Sequence, residues 1–563
     1  MTANDLIQVV VYLSALVLVS PLLGGHMARV FTGEKHLLSR PLGWLERSVY
    51  RLCGIDRQSE MAWKAYAASL LAFNFFGFVA VYLLQVFQGW LPANPQHLSA
   101  PSWHQAFNVA VSFVTNTNWQ SYAGETTMSY LTQMAALTVQ NFLSAATGIA
   151  VVLAFIRGIM RRTTRTIGNF WVDMVRSVIY VLLPLSFVLA LVLVSQGVVQ
   201  TFSPAQTVTT VEGFGQTIPL GPAASQTAIK QLGTNGGGFF NTNSAHPFEN
   251  PTPFSNFLEM LAILLIPAAL TFTYGAMVGL RRQGWVIFGV MLVLLICGLV
   301  AALYSESSPN PVIGTSTNLE GKETRFGVAN SALWLVATTA ASNGSVNAMH
   351  ESLTPLAGGI GMFNIMLGEI VFGGVGSGLY GMLLFVLLTV FLAGLMVGRT
   401  PEYLGKKIEA FEMQMVILAI LAPSAVILLG AGISCVLPVA LASLANKGPH
   451  GLSAILYAYS SAAGNNGSAF AGLNANTPYH NLTLAFTMLI GRFAVLLPTL
   501  AIAGSLAGKK FWPASAGTFA TDNTTFAILL IGVIIIVGAL TFIPALTLGP
   551  VVEQFLMAAG RGF

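Results

Sequence analysis

Charge is what this 563-residue chain most lacks: 8% of its residues are Asp, Glu, Lys or Arg, while 55% are hydrophobic. A soluble domain carries about 25% charged residues. So few charges cannot cover a soluble surface of this size, and the chain must face lipid over most of its area. The apolar stretches are continuous rather than alternating, which argues against a membrane β-barrel and for an all-α polytopic protein. Cysteine is scarce too. Cys53, Cys297 and Cys435 are far apart with no CxxC, so disulfide or metal chemistry is not expected and buried small hydrophobes are the default. Neither a phosphate-cradling GxxxxGK[ST] loop nor a DKTGT aspartyl-phosphate loop occurs, and HExxH and GxSxG are absent. No large soluble segment could hold a nucleotide. The chain is therefore expected to be non-catalytic by itself. A formal net charge of +5 does not indicate nucleic acid, because the basic residues cluster at membrane ends. Met1 to Gln8 contains Asp5 and no Lys or Arg, so the first apolar run reads as a retained helix rather than a signal peptide.

A membrane-spanning helix needs roughly 20 apolar residues. Ten such runs are predicted, near 6–28, 63–88, 129–156, 174–198, 256–280, 284–304, 362–397, 411–443, 481–506 and 525–547. The connecting segments on one side hold most of the basic residues, from Arg29 to Arg57, Arg157 to Arg176, Arg281, Arg282, Arg399, Lys406, Lys407, Lys509 and Lys510. The other side holds Lys230, Lys322, Arg325, Lys447 and Arg561. Basic residues stay on the cytoplasmic side, which puts both termini outside.

Between the paired spans lie four short apolar segments, near 103–113, 226–232, 331–341 and 451–462, each too brief to cross and each followed by a loop of small residues. Asn116, Asn235, Asn343 and Asn466 recur at intervals of 119, 108 and 123 residues. Even spacing with the same element order indicates a fourfold internal repeat. All four copies run in the same direction, so they are expected to be parallel about a membrane-normal axis. The repeats are assigned to 62–165, 166–282, 283–407 and 408–510, after a first helix and inner segment over 1–61 and before a last helix over 511–563.

Irregular backbone at membrane depth is tolerated where it lines a water-filled path. Small residues let carbonyls turn toward one point, and a carbonyl ring can replace the hydration shell of a cation. The expected ligands are the backbone carbonyls of Val114, Thr115, Asn116 and Thr117; Gly233, Thr234, Asn235 and Gly236; Ala341, Ser342, Asn343 and Gly344; and Gly464, Asn465, Asn466 and Gly467. A neutral cage suits a monovalent cation, since a divalent site would want carboxylates. Glu125, Glu351 and Glu249 lie beyond the loops, either as vestibule charges or as structural groups.

The run 362–397 contains Gly373, Gly374, Gly376 and Gly378. Each interior glycine costs a helix about 1 kcal/mol, so a break at mid-membrane is expected, acting as a gate below the loops; close helix packing is the other reading. Glu369 precedes the break and Arg492 lies inside the span of the fourth repeat. Buried charges face a partner or a cavity, so both are expected to line a central cavity, with a mutual ion pair as one arrangement. Arg399 either joins them or anchors its helix at the headgroups.

The loops read TNTNWQSYAGE, TNGGGFFNTNSAHPFENPTPF, ASNGSVNAMHESLTPLAGG and AGNNGSAF. These motifs, and essentially the whole chain, resemble the KdpA family, the potassium-binding subunits of bacterial Kdp pumps. The resemblance implies the potassium channel and transporter fold, with four membrane–pore–membrane repeats around one pore. It implies high-affinity potassium uptake in the bacterial inner membrane, driven by ATP hydrolysed on a KdpB-type P-type ATPase partner, with KdpC-type and KdpF-type small subunits. No covalent cofactor is implied: potassium is the transported ion, and ATP acts only through the partner. Gln120 matches a family position where substitution weakens potassium affinity, and Gly236 lies in the run where selectivity changes. Glu369 and Arg492 match positions associated with the gating loop and ion exit, and the ion is thought to leave sideways through a tunnel toward the KdpB-type subunit. The loops depart from the TVGYG pattern of potassium channels. A stand-alone channel or Trk/Ktr-like uptake protein is the competing reading, and the basic inner segments are plausible contacts for anionic lipids.

Overall fold

The computed structural model describes residues 2–314, 317–396, 398–513 and 518–562. Among them, ten helices are long and apolar enough to cross a membrane. The first, α1 (Ala3–Thr32), opens on a capping box between Thr2 and Asp5 and closes on Gly33 with left-handed backbone. It is followed by an amphipathic helix, α2 (Ser39–Cys53), that the search for spans did not predict. The other spanning elements are α3 (Trp63–Val86), α5 (Thr132–Met160), α6 (Phe170–Ser195), α8 (Pro253–Met277), α9 (Arg281–Glu306), α12 (Ser377–Met396), α13 (Ala410–Ser434), α15 (Pro478–Gly508) and α16 (Thr524–Ala558). Each coincides with a predicted span to within several residues, apart from the seventh span and the ends of α16 and α13, whose expected extension to residue 443 contains a separate turn, Pro438–Leu441.

The helices divide by burial. α5 and α8 are enclosed on almost all sides, whereas α1, α3 and α13 present most of their apolar surface outward. Helices that are apolar all round belong in a protein interior or in lipid, and here both places are filled. Lipid offers no hydrophobic drive between helices, so close approach matters. α1 lies against α8, with Tyr12 donating to the Met260 carbonyl at 3.1 Å and Thr273 to the Gly24 carbonyl at 3.1 Å.

Four short helices stand between spans: α4 (Trp103–Val114), α7 (Ala223–Leu232), α10 (Gly327–Ala340) and α14 (Gly448–Gly464). At 1.5 Å per residue they reach about 15–25 Å, short of the roughly 30 Å hydrocarbon core. They match the predicted half-helices, and all are buried.

The seventh predicted span is two elements. Helix α11 (Pro355–Met366) ends, an irregular segment follows over 367–376, and α12 begins at Ser377. The break therefore starts earlier than the glycine run and contains Glu369, while Gly378 lies inside α12. Gly368, Glu369, Phe372 and Gly376 take left-handed backbone. A Cβ on Gly376 would lie 2.0 Å from the Gly148 carbonyl oxygen of α5. The glycines break the helix and admit a neighbour's backbone.

Among the described residues, the strands form three two-stranded antiparallel ladders, pairing 61–62 with 166–168, 206–209 with 215–218, and 402–403 with 406–407. Cys53 and Cys297 are exposed rather than buried, a correction that follows from their places on α2 and on the outward side of α9.

Candidate functional site

The four loops share one backbone path. In each, two residues two apart are left-handed: Asn116 and Asn118, Thr234 and Gly236, Ser342 and Gly344, Asn465 and Gly467. The residue between them donates its N–H five positions back into its half-helix. Thr117 donates to Ser112 at 2.8 Å, Asn235 to Lys230 at 2.8 Å, Asn343 to Thr338 at 3.2 Å and Asn466 to Ser461 at 2.8 Å.

This register corrects the expectation for the first loop. The sequence aligns Asn116 with Asn235, Asn343 and Asn466, but the backbone places Thr117 there. Val114 is the last residue of α4 and not part of the loop core, which runs from Thr115 to Asn118. The helix end and the hydrogen bond back into it set the path, and residue identity does not. Asn118 stands where the other loops have glycine, because Asn tolerates left-handed backbone.

The loops abut in chain order. A Cβ on Gly236 would fall 1.6 Å from the Asn343 carbonyl oxygen, one on Gly344 2.2 Å from that of Asn466, and one on Gly467 2.1 Å from that of Thr117. At these three contacts a side chain has no room, and the ring closes from repeat 4 back to repeat 1. The carbonyls of Thr117, Asn235, Asn343 and Asn466 accept no hydrogen bond from any described residue. Four unengaged carbonyls at equivalent, buried positions are what a cation ring requires.

Side chains pin the ring from behind. Asn116 donates to the Thr234 carbonyl at 2.8 Å and Ser342 to the Asn465 carbonyl at 2.9 Å. Asn465 donates to the Thr117 hydroxyl at 3.0 Å. Asn343 and Asn466 reach the preceding half-helices, at the carbonyls of Lys230 (3.1 Å) and Thr338 (2.9 Å). Ser144 on α5 donates to Asn116 at 2.7 Å and accepts from Asn235 at 3.1 Å. Gln120 pairs in both directions with Gly238, accepting from its N–H at 2.9 Å and donating to its carbonyl at 3.1 Å. It clamps loop 1 to loop 2.

Beneath the loops, a cavity runs from Gly464 and Asn465 past Glu369, Tyr380 and Arg492 to Pro423 on α13 and Thr541 on α16. Its far lining belongs to the outward-facing helices α13 and α16. Glu369 is buried, and neither carboxylate oxygen has a hydrogen-bond partner among the described residues. Arg492 is buried and donates to the Ser144 carbonyl at 3.0 Å. The two charges line one cavity, as expected, but they are not an ion pair: the guanidinium turns to α5. Arg399 is exposed, three residues beyond Met396 at the end of α12, and is not among the residues lining the cavity.

The outer carboxylates differ from the vestibule expectation. Glu249 is fully buried and paired with Lys230, which the charge count had placed on the outer side. Glu351 bonds Asn446 at 2.8 Å and faces His450 at 3.5 Å, and His450 holds its carboxyl below the usual range. Glu125 accepts from the Asn241 N–H at 2.9 Å, and burial raises it. Sequence reasoning missed Asn118, Ser144, Lys230 and Asn243. An alignment of the four repeats in the register above exposes one of them: Lys230 occupies the position of Ser112, Thr338 and Ser461.

The family profile described as KdpA, potassium-transporting ATPase A subunit, matches residues 10–555. The chain is 60% identical over 579 residues to a protein of Herpetosiphon aurantiacus named potassium-transporting ATPase potassium-binding subunit, covering 99% of this chain and 100% of that protein. A Rhodospirillum centenum protein of the same name is 58% identical, covering 100% of this chain and 99% of its own length. Among solved structures, the crystal structure of the potassium transporter TrkH from Vibrio parahaemolyticus superimposes with a TM-score of 0.54 at 13% identity, over 88% of this chain and 96% of that one. That likeness shows a shared fold.

Proposed function

Because the chain belongs to the potassium-transporting ATPase A-subunit family, we propose that its four loops are the filter that selects potassium for an ATP-driven uptake pump. The observation that carries the reading is the ring of equivalent carbonyls at Thr117, Asn235, Asn343 and Asn466, made by one chain without oligomerisation. The other carbonyls of 115–118, 233–236, 341–344 and 464–467 extend it. The four half-helices run into the loops with their C-terminal ends, whose partial negative charge favours a cation. The loop cores contain no carboxylate, which fits a monovalent ion rather than a divalent one.

The ion arrives from the extracytoplasmic side and leaves the filter toward Glu369. A buried carboxylate with no hydrogen-bond partner among the described residues is relieved by a proton or by a visiting cation. Arg492 opposes straight passage by Coulomb repulsion, and the cavity offers the way out between α13 and α16. That route points to a partner at this face: the KdpB-type subunit that hydrolyses ATP, accompanied by KdpC-type and KdpF-type subunits. The segment 367–376 is the gate between filter and cavity. The four repeats are taken as 62–165, 166–282, 283–407 and 408–510, in the bacterial inner membrane with both termini outside.

The test is potassium uptake into vesicles carrying this chain with and without the ATPase partner. Uptake that requires the partner and ATP supports the reading, and robust transport by this chain alone refutes it.

A further inference from the structure

The second loop is the most glycine-rich of the four and has the least side-chain material to hold it. In loop 3, Ser345 donates its N–H to Asn343 at 3.0 Å, and Trp334 donates to the Ser345 carbonyl at 2.8 Å. In loop 4, Ser468 donates its N–H to Asn466 at 3.0 Å and meets the Tyr457 hydroxyl at 2.8 Å. In loop 1, Asn118 donates to Asn141 at 2.7 Å, and Ser112 donates to the Trp119 carbonyl at 3.0 Å. Loop 2 has Gly237 and Gly238 at the corresponding places. Glycine loses more backbone freedom on ordering than any other residue, so this loop has the greatest need of an outside anchor.

The anchor is a buried charged strut. Lys230 is fully buried at a position where the other repeats carry Ser or Thr. Its ammonium pairs with Glu249 and donates to Asn243 Oδ1 at 2.7 Å. Asn243 Nδ2 in turn donates to the Gly236 carbonyl at 2.6 Å. Glu249 accepts the Phe240 N–H at 2.9 Å and so fixes the chain leaving the loop. The equivalent carbonyls of Asn118, Gly344 and Gly467 accept nothing from the described residues. Gly236 is thus the one outer filter carbonyl tied to a side chain, and the amide that ties it is polarised by an ammonium. Hydrogen bonds in such a chain strengthen one another. A buried ion pair contributes little to stability compared with apolar residues of the same shape. Its presence here, one hydrogen-bonded residue from the filter, calls for another role.

We propose that Lys230 and Glu249, acting through Asn243, are positioning residues that fix the Gly236 carbonyl and thereby set the affinity and ion preference of the filter. The inference rests on the filter reading above. None of the three residues is an ion ligand; they hold one.

The test uses the assembled ATPase complex, measuring ATP hydrolysis stimulated by K+ and by Rb+. Two variants are compared with the wild type: Asn243→Gly, which keeps the left-handed backbone at this position (φ 55°), and Lys230→Met combined with Glu249→Gln, which removes both charges together. Each is expected to raise the K+ concentration at half-saturation about tenfold and to narrow the preference for K+ over Rb+, with a smaller loss of turnover at saturation. Because the strut acts through Asn243, the triple variant is expected to be no worse than either alone. Wild-type half-saturation and ion preference in Asn243→Gly overturn the proposal. So does a loss confined to turnover or assembly, which is what a merely structural pair would give. If the charge-free variant does not assemble, Asn243→Gly decides. A wild-type complex with no preference for K+ over Rb+ would sink the filter reading instead, which keeps the two failures apart.

Discussion

Gly344→Ala tests the ring most directly. Gly344 takes φ 79°, and a Cβ there would stand 2.2 Å from the Asn466 carbonyl oxygen and 2.9 Å from its carbon. Two costs follow. Left-handed backbone costs a residue with a Cβ roughly 1–2 kcal/mol. The methyl must also retreat to at least 3.0 Å, so loop 3 or the Asn466 carbonyl moves by about 0.8 Å. That carbonyl belongs to the proposed ion ring, so the ion-bound state alone must keep the strained, unshifted backbone. The strain then appears as weaker binding, by a factor of about 5–30 for 1–2 kcal/mol. Half-saturation by K+ of ATP hydrolysis in the assembled complex reads this out. Gly289→Ala is the control: it lies in α9 with no atom within 4 Å of its Cβ position, and Ala is favoured over Gly in a helix by about 1 kcal/mol. It should leave half-saturation unchanged and raise the unfolding temperature slightly. Wild-type affinity in Gly344→Ala would refute the assignment of the Asn466 carbonyl to the ring.

Three further outcomes are expected. Gln120→Arg breaks the two-way pairing with Gly238 and brings a cation beside loop 2, so K+ half-saturation should rise by about tenfold; an unchanged value removes Gln120 from the filter's support. Arg492→Ala takes away the positive charge in the cavity and its bond to Ser144, so passive K+ leak or uncoupled ATP hydrolysis should rise severalfold, and neither changing would dismiss Arg492 as a barrier. His450 faces Glu351 at 3.5 Å and Glu553 at 2.8 Å and stacks on Phe470, and hydrogen bonding to the two carboxylates raises it from 6.5 to about 9. A raised value means the stabilisation is complete below about pH 6.5 and fades as pH rises through about 9; thermal unfolding across that window should show a decline that His450→Ala flattens.

The spans and half-helices were legible because length and continuous hydrophobicity are what a bilayer demands, and both are properties of short windows. The loops were legible as a set because their spacing repeats. Their exact register was not, since Asn116 looks like Asn235 while its backbone behaves like Thr234. The C-terminal end of each half-helix and the N–H bond five residues back decide the path, and neither can be read from residue type. The break at 367–376 was visible in its glycines, but its true start at Leu367 depends on how the segment folds back against Gly148 of α5. The pairing of Lys230 with Glu249 was not legible for a simpler reason: a charge count sees two solvent-seeking groups, and only the fold brings them together in a dry interior.

The four repeats agree in backbone and disagree in charge, and the disagreement has a direction. Repeat 2 carries Lys230 where the others have a hydroxyl, repeat 3 alone is broken around Glu369, and repeat 4 contributes Arg492 to the same cavity. A pore with four equal repeats would lead straight through along its axis. Here the equal part is the ring of carbonyls, the proposed filter. The unequal part begins one layer below it, where a negative group and a positive group stand on the same cavity without pairing. In the proposed route, an ion leaving the ring would be drawn toward Glu369 and repelled by Arg492, into a cavity lined by α13 and α16. Pairing the two charges would cancel that bias. The bond from Arg492 to the Ser144 carbonyl keeps them apart, and because Ser144 also holds Asn116 and Asn235, the same residue ties the geometry of the proposed exit to that of the proposed filter.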